Sequence, residues 1–473
     1  MLKLLQIGLL FVVLASCSRE IKTEEFPFFL SDKAMIINLE QDNKIEGRYI
    51  VVEKFHLKDS SFSVKLPQSF FVNETNFHDW IIGWGDEKPY YDAGVENVRS
   101  IRKIDVENGK IHFGKLFRGK GFPKDGQRIV FWNTKPSGFK RITEKSVIDL
   151  SKWPAFHGES VSFGAIQLDT SLNKWVMLFN ECDTNQISIY AALSDNLVDW
   201  VPANHGDPIL EANDFLKTTW AGYDKTGKIE QSPQISDVCF HNGKWHLFLD
   251  GYGPNGKRQI GLAVSENSLL GPFEIQKQPI ILVGEQGSWD ESSVFYAKVN
   301  HDKNKFYLFY DGVNELGIER VGMATSVDFI NWEKASSNPV ISEHEGWRSA
   351  AMCSEPNFVH VQGDTILLMV AGIKNFRTQW WNRFMPGGMF VGLSGNVYDA
   401  QLGCYISLDG GKSFVEHPNN PLMVNDYSDR FENEHMGGNI EWIETDTMDY
   451  LIYQAKSSFQ GLKYNILVRA RPK

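Results

Sequence analysis

One apolar strand, written five times, constrains this chain more than any other feature. Lys174-Trp175-Val176-Met177-Leu178-Phe179 is followed by Lys244-Trp245-His246-Leu247-Phe248, Lys305-Phe306-Tyr307-Leu308-Phe309-Tyr310, Thr365-Ile366-Leu367-Leu368-Met369 and Asp449-Tyr450-Leu451-Ile452-Tyr453. Each follows a polar turn, such as His241-Asn242-Gly243 or His301-Asp302-Lys303-Asn304, so each reads as the second arm of a hairpin. A third strand ends on small residues and Ser (Ala192-Leu193-Ser194, Ala263-Val264-Ser265, Ala324-Thr325-Ser326, Ile406-Ser407), and an aromatic follows it (Trp200, Phe273, Trp332, Phe414). Pro208-Ile209-Leu210, Pro279-Ile280-Ile281, Pro339-Val340-Ile341 and Pro421-Leu422-Met423 close the units.

Four strands per unit, recurring at intervals of about 60 to 80 residues, describe the blade of an all-β propeller, in which each sheet buries its faces on its neighbours. The last unit, from Asn439, runs out after three strands, so its outer strand must come from the other end of the ring. Gly138 to Ile142 or Arg128 to Trp132 can fill it, which predicts five blades over residues 136–473; a sixth blade built from residues 95–145 is the alternative. Residues 31–135 read as a β-rich N-terminal region without an assigned role.

The first residues address the compartment. Lys3 precedes an apolar run from Leu4 to Ala15 that is too short to span a bilayer and reads as a secretion signal over residues 1–17. It closes on Leu14-Ala15-Ser16-Cys17, which resembles a bacterial lipobox and predicts lipid attachment at Cys17, with a polar tether over residues 18–30. The expectation is an exported, lipid-anchored bacterial protein on the periplasmic face of the outer membrane or on the cell surface, monomeric, and touching the membrane only through that lipid. Cys182, Cys239, Cys353 and Cys404 lie far apart within apolar patterns, so free buried thiols are expected although the compartment permits disulfides. A net charge of -11 excludes a phosphate-tracking surface and with it nucleic acid. No zinc spacing, phosphate loop or nucleophile elbow appears, and no cofactor is expected; calcium in the funnel stays compatible with the sequence, since oxygen ligands leave little local trace.

The strand-turn-strand segment from Asp237 through Asn242-Gly243-Lys244 to Phe248, and Ala263 to Phe273, resemble the blades of glycoside hydrolase family 43. The likeness covers residues 155 to 473 and extends to the related five-bladed families 32, 117 and 130. Ser407-Leu408-Asp409-Gly410-Gly411-Lys412-Ser413-Phe414 resembles the Asp-box turn of sialidases, a device of the propeller's outside. In the resembled enzymes the inner strands of consecutive blades each present an acid to the central funnel. Here every unit has a candidate: Glu159, Asp237, the pair Asp290-Glu291, Glu355, and Glu434 beside His435.

The resemblance implies a glycosidase, exo-acting and inverting, releasing a terminal sugar from a plant or algal oligosaccharide. Hydrolysis requires one carboxylic acid to protonate the leaving oxygen and one carboxylate to activate water. Asp237 sits where the base would be, Glu355 resembles the general acid, and Asp290 or Glu291 holds the modulating place; no Asp-Pro follows the base candidate. A shifted frame takes Glu159 as base, Asp237 as modulator and Glu291 as acid. An inverting pair needs its carboxyls about 6.5 to 9.5 Å apart. Trp220, Tyr223, Trp289, Trp347, Arg348, Trp380-Trp381-Asn382-Arg383 and His435 are candidate sugar contacts, because aromatic faces stack on sugar C–H faces while Arg and Asn hold hydroxyls. Two rivals remain open. One is a glycan-binding lipoprotein without a catalytic pair; the other is a phosphorylase like those of family 130, for which Arg348 and Arg383 would supply the basic pocket.

Overall fold

The computed structural model describes residues 139–473 except 159, 183–187, 228–229, 304, 343–347, 349–354, 374–399, 418–419, 421, 424–430, 433–434 and 458–462, and N-terminal to them a set of strands between 43 and 133. The ring is built of five antiparallel blades. Blade 1 comprises Ser160–Asp169, Lys174–Cys182, Ile189–Ser194 and Val201–Pro202; blade 2, Gln234–His241, Lys244–Tyr252, Arg258–Ser265 and Glu274–Ile275. Blade 3 is Ser293–Asp302, Lys305–Val313, Glu319–Ser326 and Glu333–Lys334; blade 4, Pro356–Gln362, Thr365–Ile373, Ala400–Ser407 and Val415–Glu416. The first strand of each blade touches those of its two neighbours, so these five line the central channel.

Local chemistry accounts for the hairpins. Asn242 and Gly243 both take positive φ (50° and 77°), the left-handed pair that a two-residue turn between right-twisted strands demands and that Asn and Gly adopt most readily. The Pro-Ile-Leu-like closers form single bridges to the third strands, Ile189 to Leu210, Ile260 to Ile281, Val321 to Ile341 and Leu402 to Met423. Large apolar side chains from adjacent blades then interleave; Phe163, Phe179 and Tyr190 of blade 1, for example, pack with Trp153 just before it and with Ile452, Ile466 and Val468 of blade 5.

Blade 5 contributes His435–Glu444, Met448–Ser457 and Lys463–Pro472, and its fourth strand is Lys140–Arg141, paired with Arg469 and Ala470. Of the two segments that could close the ring, it is therefore the one around Gly138 to Ile142. Ile142 N–H donates to the Val468 carbonyl at 3.0 Å, Phe139 is buried, and Arg469 Nη2 donates to buried Glu432 at 3.2 Å. The six-bladed alternative is excluded: Arg128–Asn133 pairs instead with Tyr49–Val52 and Trp80–Gly85 in a separate five-stranded sheet that also holds Asn43–Glu46 and Asn97–Ser100. Phe62–Lys65, Val106–Glu107 and Lys110–Phe113 make a second, three-stranded sheet.

A repeated irregularity shapes the channel. Every inner strand breaks register once near its start, between Phe163 and Ala165, Ile235 and Asp237, Phe295 and Lys298, Pro356 and Phe358, and Met436 and Ile440. Such bulges re-aim side chains and free backbone groups. The freed groups are met by polar side chains on second strands: Ile235 N–H donates to Asn180 Oδ1 (2.8 Å), Tyr296 N–H to Asp250 Oδ2 (3.2 Å) and Phe163 N–H to Gln454 Oε1 (2.6 Å). Each bond crosses from one blade to the next, so the same device that bends the strands ties the ring.

Candidate functional site at the two mouths of the channel

All inner strands start at one mouth of the channel and end, in the hairpins, at the other. The strand-start mouth gathers charge. Arg258, first residue of its strand, forms an ion pair with buried Asp250 through Nε (2.6 Å) and reaches Gln234 Oε1 through Nη2; its guanidinium lies 4.3 Å from the Phe295 ring centroid and 5.3 Å from that of Tyr296. Asp250 also accepts from Ser236 Oγ at 2.6 Å. Tyr296 sits in the blade 3 bulge with φ of +52°, a strained conformation for a non-glycine residue that is characteristic of functional sites. Burial first, then the Glu355 carboxylate, holds its phenol well above the ordinary range. Asp311 is fully buried next to Glu319 and Glu355; desolvation first, then those two neighbouring charges, push it well above the usual carboxylate range. Glu355 is half-buried just before the inner strand of blade 4, where its carbonyl accepts from Ala371 N–H (2.9 Å) and Asn357 Nδ2 (2.7 Å).

The hairpin mouth is different. A cavity of about 770 Å³ opens there, lined by the later halves of the inner strands. At its base Lys298, 3% exposed, lies 3.6 Å from Asp237 Oδ1 and 3.3 Å from Glu441 Oε1, and Val299 N–H donates to Asp237 Oδ2 at 2.8 Å. Burial raises both carboxyls, Glu441 to about 7, although Lys298 opposes the shift. Lys298 is itself raised, since two carboxylates outweigh its own desolvation. Just above this triad Asn439 Nδ2 donates to the Phe163 carbonyl (2.7 Å) and the Ser236 carbonyl (3.2 Å), linking the inner strands of blades 5, 1 and 2. The cross-channel bonds form a floor between the two mouths.

The sequence candidates therefore divide. Glu355 belongs to the strand-start mouth and Asp237 to the floor of the other. Along blade 3 the residue bonded at the Asp250 tier is Tyr296 and the one bonded to Asp237 is Val299, three residues or roughly 10 Å further down the strand. Asp290 is buried behind the channel wall, accepting from Lys334 Nζ (2.6 Å) and Tyr310 Oη (3.2 Å). Glu291 accepts from the backbone of Gly287 (2.6 Å) and Glu315 (3.3 Å), stapling two loops.

Trp220 is a core residue. It is 0% exposed, its indole donates to the Gln276 carbonyl, and Gly261 leaves room for its ring, so no face is open to a sugar. Trp289 stacks on Tyr310, centroids 5.7 Å apart, against Gly312 and Gly322. Arg348 is 2% exposed with its guanidinium 5.0 Å from the Tyr405 centroid. Tyr223 is half-buried in a short strand beside Tyr252. Glu159, Glu434, Trp347, Trp381, Arg383 and Cys17 lie outside the described residues, and His435 is described as backbone only. Asp250, Arg258, Tyr296, Asp311, Glu319, Lys298 and Glu441 were not singled out by the sequence. Asp250 and Asp311 each stand six residues into an otherwise apolar second strand, at the place of Asn180 and Gln454, and that recurrent polar position was the available signal.

Cys239 and Cys404 are free thiols, both pushed up to about 12, chiefly by burial. The turn at Ser407–Phe414 lies on the outer side, where Asp409 Oδ1 accepts from Lys412 and Ser413 N–H at 3.0 Å. Among the described residues no group of His, Cys, Asp and Glu is arranged to hold a metal ion.

No family model matches the chain, and no curated protein matches it. Among solved structures it is similar to a thermostable family-43 glycoside hydrolase (17% identity, 67% of this chain and 94% of that one, TM-score 0.48). It is also similar to a family 117 glycoside hydrolase from the marine bacterium Zobellia galactanivorans (15%, 72% and 90%, 0.43) and to an endo-arabinase from Bacteroides thetaiotaomicron (15%, 66% and 94%, 0.42). The class defined by the strand pairing is a five-bladed β-propeller.

Proposed function

We propose that the protein is a glycoside hydrolase that cleaves at the strand-start mouth, with Glu355 as the proton donor. The observation that carries this reading is the meeting of Glu355, Glu319 and buried Asp311 beside Tyr296 and the Asp250–Arg258 pair. A glycosidase needs one carboxyl kept able to give a proton in a partly dry site, and like-charged neighbours together with burial are how proteins provide it. Asp311, fully buried and raised by desolvation and its acidic neighbours, is a poor candidate for the base. Asp237 is engaged by Lys298 and Val299, so the water-activating carboxylate is assigned to Glu159, which precedes the inner strand of blade 1 in sequence as Glu355 precedes that of blade 4. The expected outcome is inversion, which requires the two carboxyls to stand about 6.5 to 9.5 Å apart, and the expected substrate is an oligosaccharide entering by its terminal sugar.

The test is release of monosaccharide from a panel of plant and algal oligosaccharides, followed by Glu355→Gln. That substitution keeps shape and removes the proton, so turnover of a natural disaccharide should fall by about 10²- to 10⁴-fold. An aryl glycoside, whose leaving group needs little protonation, should lose much less. Equal losses on both substrates would exclude Glu355 as the acid. Binding without any released product from wild-type protein would point instead to a glycan-binding propeller. We further propose that Cys17 carries the lipid; Cys17→Ser should move the protein from the membrane fraction to the soluble one and end incorporation of labelled fatty acid.

A further inference from the structure

Four of the five register breaks in the inner strands leave small or amide residues unpaired: Gly164, Ser236, Asn357 and the Gly437-Gly438-Asn439 stretch. In blade 3 the break falls on Tyr296 and Ala297, so there alone a bulge carries a large ring. Tyr296 takes φ of +52°, a conformation that is costly for a non-glycine residue and persists only where the surroundings enforce it. The Asp250–Arg258 pair of blade 2 does so from two sides. Asp250 Oδ2 accepts from the Tyr296 N–H at 3.2 Å, and the Arg258 guanidinium lies 5.3 Å from the centroid of the ring. Phe295 covers a third side edge-on, with the two ring centroids 4.9 Å apart.

The ring so held has an unused polar end. The buried phenols of Tyr190, Tyr310 and Tyr453 each donate to a carboxylate, of Glu181, Asp290 and Glu432. Tyr296 is instead partly exposed at the strand-start mouth, and its hydroxyl makes no hydrogen bond to any described residue. Groups of three other blades act on this phenol: burial raises it first, then Glu355 before the inner strand of blade 4, with Asp250 of blade 2 and Tyr464 of blade 5 adding to the shift and Arg258 opposing it. Blade 5 is not a neighbour of blade 3, so the phenol lies over the channel and not against one wall. We infer that Tyr296 contacts the sugar being cleaved, its phenol donating a hydrogen bond to the hydroxyl on the carbon next to the anomeric carbon. The inference rests on the reading of Glu355 as proton donor, since that acid must meet the glycosidic oxygen and this hydroxyl is the polar group beside that oxygen. Hydrogen bonds to it strengthen as the ring approaches its oxocarbenium-like transition state, so the contact acts on turnover more than on ground-state binding. The substrate class is accordingly a sugar in which that hydroxyl is present and free.

The experiment compares the full chain with its Tyr296→Phe variant on the para-nitrophenyl glycosides of arabinofuranose, xylose and galactose and on their deoxy analogues lacking that hydroxyl. A second arm measures, by calorimetry, binding of the corresponding methyl glycosides to Glu355→Gln protein with and without Tyr296→Phe. The substitution keeps the ring against Arg258 and Phe295, so the thermal midpoint should stay unchanged. Loss of the sugar hydroxyl should slow the wild type by about 10- to 100-fold more than it slows Tyr296→Phe. Most of the variant's own loss should fall on kcat, with KM rising only a few-fold. In the binding arm the methyl glycoside should outbind its deoxy analogue a few-fold, and Tyr296→Phe should abolish that preference. Because the second arm needs no turnover, failure of Glu355 as the acid and failure of the Tyr296 contact are distinguishable. The inference is overturned if wild type and Tyr296→Phe are equally sensitive to loss of the hydroxyl, in turnover or, where there is no turnover, in binding. A variant that slows both sugars alike with a lowered midpoint, as a purely structural tyrosine would, or the absence of any binding at millimolar concentration, overturns it as well.

Discussion

The two mouths use the same residue types in opposite ways. At the hairpin mouth one buried lysine is shared by two carboxyls, each within 4 Å of it. At the strand-start mouth a buried ion pair, Arg258 with Asp250, stands beside clustered carboxyls, with Asp311 raised by burial and by Glu319 and Glu355. Carboxyls held by a lysine make a floor, whereas carboxyls crowded together without one make groups that can exchange protons. The lesson is that an acid in a propeller channel is not by itself a catalytic acid; its neighbours decide.

The largest stability effect that distinguishes the mouths should come from Arg258→Met. It strands the Asp250 carboxylate, 1% exposed, and removes the cation from the Phe295 and Tyr296 rings, so a loss of about 3 to 5 kcal/mol is expected in chemical denaturation. Arg258→Lys should recover part of that loss while failing to reach Gln234 and Asp250 together. Lys298→Met should cost less, about 2 to 3 kcal/mol at pH 6, because Asp237 and Glu441 already have raised pKa values and can take up protons when their lysine is gone. If Lys298→Met proves the more damaging of the two, the floor and not the strand-start mouth holds the more critical charge, and the comparison reverses.

A smaller effect is the pH dependence of the floor. Glu441 titrates near 7 in the folded protein against an ordinary value of 4.5, mainly through burial. The folded state therefore binds the proton more tightly than the unfolded state does. The associated stability is fully present below pH 4.5 and is lost as pH rises toward and through about 7. Glu441→Gln removes this group, so between pH 5 and 8 the variant should lose less stability than the wild type in parallel thermal melts. A steeper loss in the variant would mean that Lys298 keeps Glu441 ionised throughout.

The fold was largely legible because a propeller repeats its signals. Five copies of one apolar strand, Asn-Gly and Lys-containing turns, and a Pro-Ile-Leu closer at the end of four units all report the same hydrogen-bond pattern, and each became an observed strand or bridge. The closing strand was ambiguous because two β-rich segments compete for it, and the strand that it must pair with is more than 300 residues away in sequence. The site was less legible. An acid at the start of an inner strand looks the same whether it binds backbone, as Glu291 does, or faces a channel; the register break in each strand then shifts which residues face inward. Trp220 read as a ligand contact because sequence cannot tell an aromatic on a loop from one folded back under a glycine of the next strand.

The smallest effect is expected at Glu291, and it tests the division of acids most directly. Its carboxylate accepts from two backbone N–H groups, on Gly287 and Glu315, and so joins the loop before blade 3 to that blade's own 314–318 turn. Glutamine keeps one carbonyl oxygen of the same reach, hence one of the two bonds, and the site is half-exposed enough for water to meet the other donor. Glu291→Gln should therefore cost under about 1 kcal/mol. Any change in turnover should be the same for an aryl glycoside and a natural disaccharide, because no proton transfer passes through this residue. If the natural substrate slows selectively, as expected for Glu355→Gln, then Glu291 is the proton donor, and the strand-start cluster around Asp311 serves to hold the ring together.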